Sequence, residues 1–328
     1  MTDLLLTTTV GSFGKPEYLQ KARNANARGK LSDGELVELE RKATEEWIRR
    51  QEDIDLDILV DGEMYRGDMV AYFAERLDGF KIGGLVRSYG NRYYHKPVIA
   101  SKVSRPKPMT VDWYRFTQGL TDRPVKGMLT GPYTMLDWSY NEAYPTRRDA
   151  ALALAEVVRQ EAEDLDRAGA KYIQIDEPAI HARPEEIEIA IEAMGIVTAG
   201  LSAKTISHIC YGDFAAIYPQ VLDLPVDQLD LAMANYGYRW LELFDRNAFT
   251  KELAIGIVDV HAHQTETVDE AAEGIRKGLR YVSAEKLWPH PDCGLKTRTV
   301  EECVEKCAVV VAATKVVRAE LAKKAVPA

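Results

Sequence analysis

The chain has only 4 cysteines in 328 residues. That is too few for a disulfide scaffold, and it points to a reducing, cytoplasmic setting. There is no block of lysine and arginine, and the formal charge is −9. Without a basic stripe to neutralise phosphates, nucleic acid is excluded as an expected partner. The longest apolar run, near Ala308 to Ala313, falls well short of the ~20 residues that span a bilayer, so no membrane association is expected. The opening Met1-Thr2-Asp3-Leu4-Leu5-Leu6 lacks the charged and apolar regions of a secretory signal. No Gly-x-Gly-x-x-Gly follows the first strand, and Val10-Gly11-Ser12-Phe13-Gly14 does not substitute for it. This argues against an open dinucleotide-binding sheet. Internal repeats, low-complexity tracts and linkers are also missing.

What is present is a regular alternation. Short apolar, β-branched runs read as strands at Leu5 to Val10, Asp57 to Asp61, Val125 to Leu129, Tyr172 to Ile175, Lys204 to Ile209, Leu229 to Met233, Ala254 to Val260 and Leu287 to Pro289. Amphipathic helices are predicted between them, at Leu36 to Arg50, Asp149 to Ala168, Pro184 to Met194 and Val268 to Lys277. Leu152, Leu154, Val157, Val158, Ala162 and Leu165 carry the spacing of a helix laid on a sheet. Strand alternating with helix implies parallel strands joined by crossovers. Eight such units predict a single α/β domain over residues 1–328, a (β/α)8 TIM barrel. Gly83-Gly84, Tyr89-Gly90-Asn91 and Tyr93-Tyr94-His95 break the rhythm between Phe80 and Arg105. An inserted hairpin after the second strand accounts for them.

The residues just past each strand are Ser12, Glu63, Thr130-Gly131, Asp176-Glu177, His208 and Cys210, Ala234-Asn235, His261, and Cys293. Barrel active sites are built from the C-terminal strand ends, so these residues are expected to converge. On a strand, His208 and Cys210 project to one face, and Cys293 would supply a third arm. Three N/S ligands with a position left over is the pattern of a catalytic zinc that binds and activates a thiol. Two cysteines and a histidine are also ordinary buried residues; their shared position at strand ends favours the metal. Cys303 and Cys307 lie four apart on a predicted helix, where core packing is the expected role.

With these residues in view, the chain resembles the C-terminal catalytic barrel of the cobalamin-independent methionine synthase family. The resemblance rests on Thr7-Thr8-Thr9-Val10-Gly11-Ser12-Phe13, on the stretch from Val60 to Val70, on Val103-Ser104-Arg105-Pro106-Lys107, on the stretch from Lys126 to Pro132, on Tyr172-Ile173-Gln174-Ile175-Asp176-Glu177-Pro178, on His208-Ile209-Cys210-Tyr211 and on the stretch from Pro291 to Arg298. It implies methyl transfer to the homocysteine thiol, with His208, Cys210 and Cys293 as zinc ligands. It assigns Glu63 and Asp176 to the substrate ammonium, and the backbone and hydroxyl near Gly11 and Ser12 to its carboxylate. It makes His261 the proton donor near the leaving nitrogen of the methyl donor, so His261 and Asp176 stand at the chemistry. It places Trp138 and the Arg92-Tyr93 pair in a folate-contacting region. His263 would share the face of His261 if its strand continued.

Two departures shape the expected donor. Full-length family members carry an additional N-terminal barrel, whereas here the first matched motif begins a few residues from the chain start. The chain therefore resembles the short, core-type methionine synthases, and methylcobalamin or a corrinoid protein is the expected methyl donor. The family also places a glutamate on the sixth strand as a fourth zinc ligand, and that slot holds Ala232. A neutral zinc of two thiolates and one imidazole would suit a good leaving group such as cob(I)alamin. A folate donor, a sulfonate thiol such as coenzyme M as acceptor, and a zinc- or corrinoid-binding accessory protein are the alternatives. Retention of Glu63 and Asp176 favours an amino-acid thiol over a sulfonate.

Overall fold

A computed structural model describes residues 4–87, 93–210 and 212–325. In chain order its elements are Glu17–Ala27 (α1), Asp33–Ile54 (α2), Ala71–Ala74 (α3), Asp78–Arg87 (β1), Tyr93–Ser104 (β2), Val111–Gln118 (α4), Gly127–Thr130 (β3), Pro132–Asp137 (α5), Tyr140–Asn141 (β4), Arg147–Arg167 (α6), Tyr172–Asp176 (β5), Ile187–Thr198 (α7), Lys204–Ile209 (β6), Gln228–Leu231 (β7), Glu252–Val258 (β8), Val268–Gly278 (α8), Leu287–Pro291 (β9) and Val300–Ala325 (α9). The fold is mixed α/β. A six-stranded sheet has the order β3-β5-β6-β7-β8-β9. Within it β3 and β5, β5 and β6, and β8 and β9 run parallel. Parallel neighbours require long crossovers, and α6 and α8 lie on such connections. Among the described residues, no helix is long and apolar enough to cross a membrane.

The chain packs as two compact units. The first comprises Met1–Tyr65, Phe116–Lys126 and Leu229–Ala328. Its α2 starts at a capping box, with Ser32 and Glu35 each accepting from the other's backbone N–H, which satisfies two otherwise orphaned donors. Trp47 of α2 is fully buried. Its ring stacks on Phe13 at 4.1 Å between centroids, and its Nε1 donates to the Gly14 carbonyl at 3.2 Å. The helix is thereby fixed to the segment that carries Gly11 and Ser12.

The first two expected strands, Leu5 to Val10 and Asp57 to Asp61, are not regular ladders. Ile58 N–H donates to the Thr7 carbonyl at 3.0 Å, and Leu59 exchanges bonds with Pro124 and Lys126, but only isolated bridges result. The Asp57 carboxylate accepts both the Thr7 N–H and its hydroxyl at 2.8 Å. Arg318 of α9 then holds the same carboxylate at 2.6 Å.

The second unit comprises Arg66–Arg115 and Gly127–Gln228. Thr146 caps α6 by accepting from Asp149 N–H. The apolar face of α6 buries Leu154, Val157, Val158, Ala162 and Leu165. Glu161 shares that buried face because it is fully partnered. It accepts from Arg105 Nε at 2.6 Å, from Thr110 N–H at 2.6 Å and from Met109 N–H. Between Pro184 and Met194 the single expected helix begins instead as a 3-10 turn over Pro184–Glu186, and α7 follows it. Strands β1 and β2 pair antiparallel from Asp78↔Ser104 to Arg87↔Tyr93, over the stretch where a hairpin is predicted. Its tip, with Tyr89-Gly90-Asn91, lies outside the described residues.

Removing the Trp47 ring should create a large cavity beside Phe13. Trp47→Ala is expected to cost about 3–5 kcal/mol of unfolding free energy, measured by urea denaturation. A loss below about 1 kcal/mol would mean that this stack does not anchor the segment.

Candidate active site

Strand β6 ends with His208-Ile209, and Cys210 follows it; His208 and Cys210 are both buried. Cys293 is half-buried and follows β9 in Pro291-Asp292-Cys293-Gly294. The ligating atoms of His208, Cys210 and Cys293 all lie within 4.8 Å of one another. Three ligands on one zinc, at about 2.3 Å for sulfur and about 2.0 Å for imidazole nitrogen, sit about 3.5–3.8 Å apart in tetrahedral geometry. Small side-chain rotations close the difference, so the donor set fits one soft cation. Among the described residues no carboxylate joins this group. Ala232 is buried and brings no donor atom. Asp230, two residues upstream, has its carboxylate 3.2 Å from Nε2 of the buried His290.

Backbone amides and carbonyls hold the segments that carry the three ligands. Asp292 is fully buried and accepts from Met233 N–H at 2.8 Å, Ala234 N–H at 2.9 Å and Asn235 N–H at 2.6 Å. Its carboxylate can lie there because residue 256 is glycine; a Cβ at that position would meet Asp292 Oδ1 at 2.0 Å. Burial pushes the Asp292 carboxyl up to about 7, against the pull of these three amides, and Asp259 adds to the rise. The His208 carbonyl accepts from Glu177 N–H at 3.0 Å. Glu177 in turn caps the start of α5, accepting from Tyr133 N–H at 3.0 Å and from Thr134 N–H and hydroxyl at 2.7 Å. Burial raises the Glu177 carboxyl to about 7 despite these donors, and Asp176 raises it further. His181 Nε2 stands 3.2 Å from the Cys210 carbonyl. Burial holds its ring below the usual imidazole range, against the Cys210 bond.

Of the predicted substrate residues, Asp176 ends β5, whereas Gly11, Ser12 and Glu63 follow the two segments that form only isolated bridges. Glu63 follows Gly62 in the left-handed region, with φ of 56° and 73° respectively. Its N–H donates to Asp61 Oδ1 at 2.9 Å. Ser12 bridges to Gly62, and its carbonyl accepts from Leu295 N–H at 2.6 Å. Its hydroxyl lies over Gly294, where a Cβ would come within 2.2 Å of Oγ. Gly11 is buried beside it. Asp176 ends β5 and is buried, with Gln174 Nε2 donating to its Oδ1 at 2.7 Å.

The donor-side residues are more scattered. Trp138 closes α5, with its ring 6.4 Å from that of Tyr94. Arg92 lies outside the described residues, as does the Tyr93 side chain. Strand β8 stops at Val258, so His261 and His263 are not on one strand face. His261 is exposed, and its N–H donates to Asp259 Oδ1 at 2.8 Å. His263 instead meets Glu302 at 2.6 Å. Asp292, Lys15 and Arg23 are further candidates that only the structure brings out. Asp292 was visible inside the Pro-Asp-Cys-Gly motif, but three amides from a segment nearly sixty residues away gave no sequence signal.

Residues 5–316 match the family described as cobalamin-independent synthase, catalytic domain. The chain belongs to this family. It is similar to the methionine synthase of Saccharolobus solfataricus, with 42% identity over 98% of this chain and 97% of that protein. It is 40% identical to the methionine synthase of Sulfolobus acidocaldarius, over 98% of this chain and 94% of that one. Among solved structures, a B12-independent methionine synthase from Shewanella sp. W3-18-1 in complex with selenomethionine matches with a TM-score of 0.86 and 28% identity, covering 98% of this chain and 99% of that chain. The protein is a methyltransferase of methionine synthesis.

Family membership corrects the expected donor. Methylcobalamin and a corrinoid protein, as cofactor or as partner, are overturned by a family that is cobalamin-independent and by the B12-independent Shewanella relative. Chain brevity was a poor guide, because the chain described as a B12-independent methionine synthase from Shewanella, matched over 99% of its length, is equally short. The missing carboxylate at Ala232 was equally poor, since it would alter the charge at a bound metal and would not recognise a donor.

Asp292→Ala would leave three backbone donors without their acceptor. A cost of about 2–5 kcal/mol is expected, together with faster hydrogen exchange at the amides of Met233, Ala234 and Asn235. Unchanged exchange at those amides would show that Asp292 does not hold the segment.

Proposed function

We propose that this methyltransferase forms methionine by moving a methyl group from a cobalamin-free, folate-type donor to the thiol of homocysteine, with a zinc ion held by His208, Cys210 and Cys293. The observation that carries the reading is the grouping of those three donor atoms within 4.8 Å. His208, Cys210 and Cys293 would hold the ion, which would lower the pKa of the acceptor thiol so that its sulfur could attack as a thiolate at neutral pH.

Glu63 and Asp176 receive the substrate ammonium in this reading. Asp61 holds the Glu63 backbone N–H, and Gln174 holds the Asp176 carboxylate. Two carboxylates suit an ammonium and would repel the sulfonate of coenzyme M. The Gly11 backbone and the Ser12 hydroxyl receive the carboxylate, and glycine at 294 leaves room beside that hydroxyl. His261, just beyond β8, returns a proton to the departing donor nitrogen; its exposed ring can reach a bound ligand without breaking a core contact. Trp138 offers an aromatic face for a pterin, and Arg92 and Tyr93 complete that region. A closed eight-stranded barrel with the β1–β2 hairpin as an insertion is the matching architecture. It is supported by the bond from Thr8 N–H to the Pro289 carbonyl, and by those linking Thr7 to Ile58 and Leu59 to Pro124 and Lys126. A single catalytic domain in the cytoplasm is consistent with the free cysteines.

Cys210→Ser and Cys293→Ser should each lower zinc affinity at least about tenfold, read by chelator competition without any turnover assay. Wild-type zinc binding by both variants would overturn the metal assignment. Purified protein given methyltetrahydrofolate should form methionine from homocysteine and should not methylate coenzyme M. Failure to form methionine from that donor would overturn the donor assignment.

A further inference from the structure

We infer that Lys15 and Arg23 form a two-cation clamp on the backbone of residues 63–65, and that this clamp positions the Glu63 carboxylate for the substrate ammonium. The inference rests on the proposed role of Glu63. The starting observation is the conformation of the turn. Gly62 and Glu63 are consecutive left-handed residues, and a side-chain-bearing residue in that region costs about 1–2 kcal/mol. Such strain persists only where neighbours over-determine it.

Here the neighbours act on four successive carbonyls. Gly62 O accepts from Phe13 N–H at 3.1 Å. Glu63 O accepts from Lys15 Nζ at 2.7 Å. The carbonyls of Met64 and Tyr65 accept from Arg23 at 3.4 and 3.3 Å. Arg23 is itself held by the buried Glu40 carboxylate at 2.6 Å. From the other side, Asp61 takes the Glu63 N–H at 2.9 Å and the Tyr65 hydroxyl at 2.7 Å. Both backbone groups of Glu63 are therefore fixed, the N–H by an anion and the carbonyl by a cation. Charge-assisted bonds of this kind are about twice as strong as neutral ones. With its main chain held, the carboxylate is confined to the positions its own side-chain rotamers allow. Lys15 and Arg23 are positioning residues, since they act through Glu63.

The clamp carries its own pH signature. Burial pulls the Lys15 ammonium down to about 8. Arg23 of α1 and Lys296 pull the same way, whereas Glu63 and Glu40 of α2 push it up. As pH rises through about 8, Lys15 loses its proton; the amine still donates to Glu63 O, but without the charge that made the bond strong. Arginine at this position stays charged throughout.

The test is homocysteine binding by calorimetry, from neutral to alkaline pH, on wild type, Lys15→Met, Lys15→Arg and Glu63→Gln, with unfolding midpoints measured alongside. Lys15→Met should weaken binding about tenfold at neutral pH, whereas Lys15→Arg should stay near wild type there. Above about pH 8, wild-type affinity should fall relative to Lys15→Arg, which separates the lysine from the titration of homocysteine itself. Unchanged binding by Lys15→Met beside an impaired Glu63→Gln would overturn the clamp alone, and superimposed wild-type and Lys15→Arg profiles would overturn its pH signature. Unchanged binding by Glu63→Gln would instead overturn the role of Glu63.

Discussion

Carboxylate side chains that accept backbone N–H groups hold the strand ends of this protein, and the candidate chemistry depends on them. Asp292 takes three amides of residues 233–235 and stands one residue from Cys293. Glu177 takes two amides at the start of α5, and its own N–H meets the carbonyl of His208. Asp61 takes the N–H of Glu63. An ion accepts more strongly than a neutral carbonyl, so a single carboxylate can fix a loop that lacks regular pairing. Desolvation opposes this, and it raises Asp292 and Glu177 to about 7. These acids are tolerated inside because their oxygens are already bonded.

The same economy explains the site's composition. The ligand group contains two potential thiolates and one imidazole, with no carboxylate among the described residues. Asp230, two residues before Ala232, faces the buried His290. A zinc ion held by these groups would carry no net charge once both thiols ionised, and an incoming anionic sulfur would meet no carboxylate among them. In the proposed reading that arrangement accounts for how a thiol would be bound. It says nothing about which molecule delivers the methyl group, which is why a donor inferred from charge at the metal was overturned by family membership.

Legibility followed the range of the interactions. The six strands β3 and β5 to β9, and helices such as α2, α6 and α8, begin and end near their predicted positions because local apolar spacing and caps such as Ser32, Thr146 and Thr267 define them. The first two strands were recognisable as extended segments, but their irregular pairing was not. The bonds that join them, such as Thr7 to Asp57, link groups fifty residues apart. The helix start after Pro184 was misjudged because proline favours the first turn without deciding whether that turn is α or 3-10.

By itself, the sequence determined the alternation of strand and helix, the crowding of chemically active residues at strand ends, and the His-x-Cys and distant Cys donor set. Each of these is a local pattern read along the chain. Only the tertiary structure decided that the three donors share a space one ion could fill, that Asp292 anchors the segment beside Cys293, and that Lys15 and Arg23 grip the turn bearing Glu63. Those are bonds between groups separated by tens to hundreds of residues, and their geometry exists only after the backbone has folded.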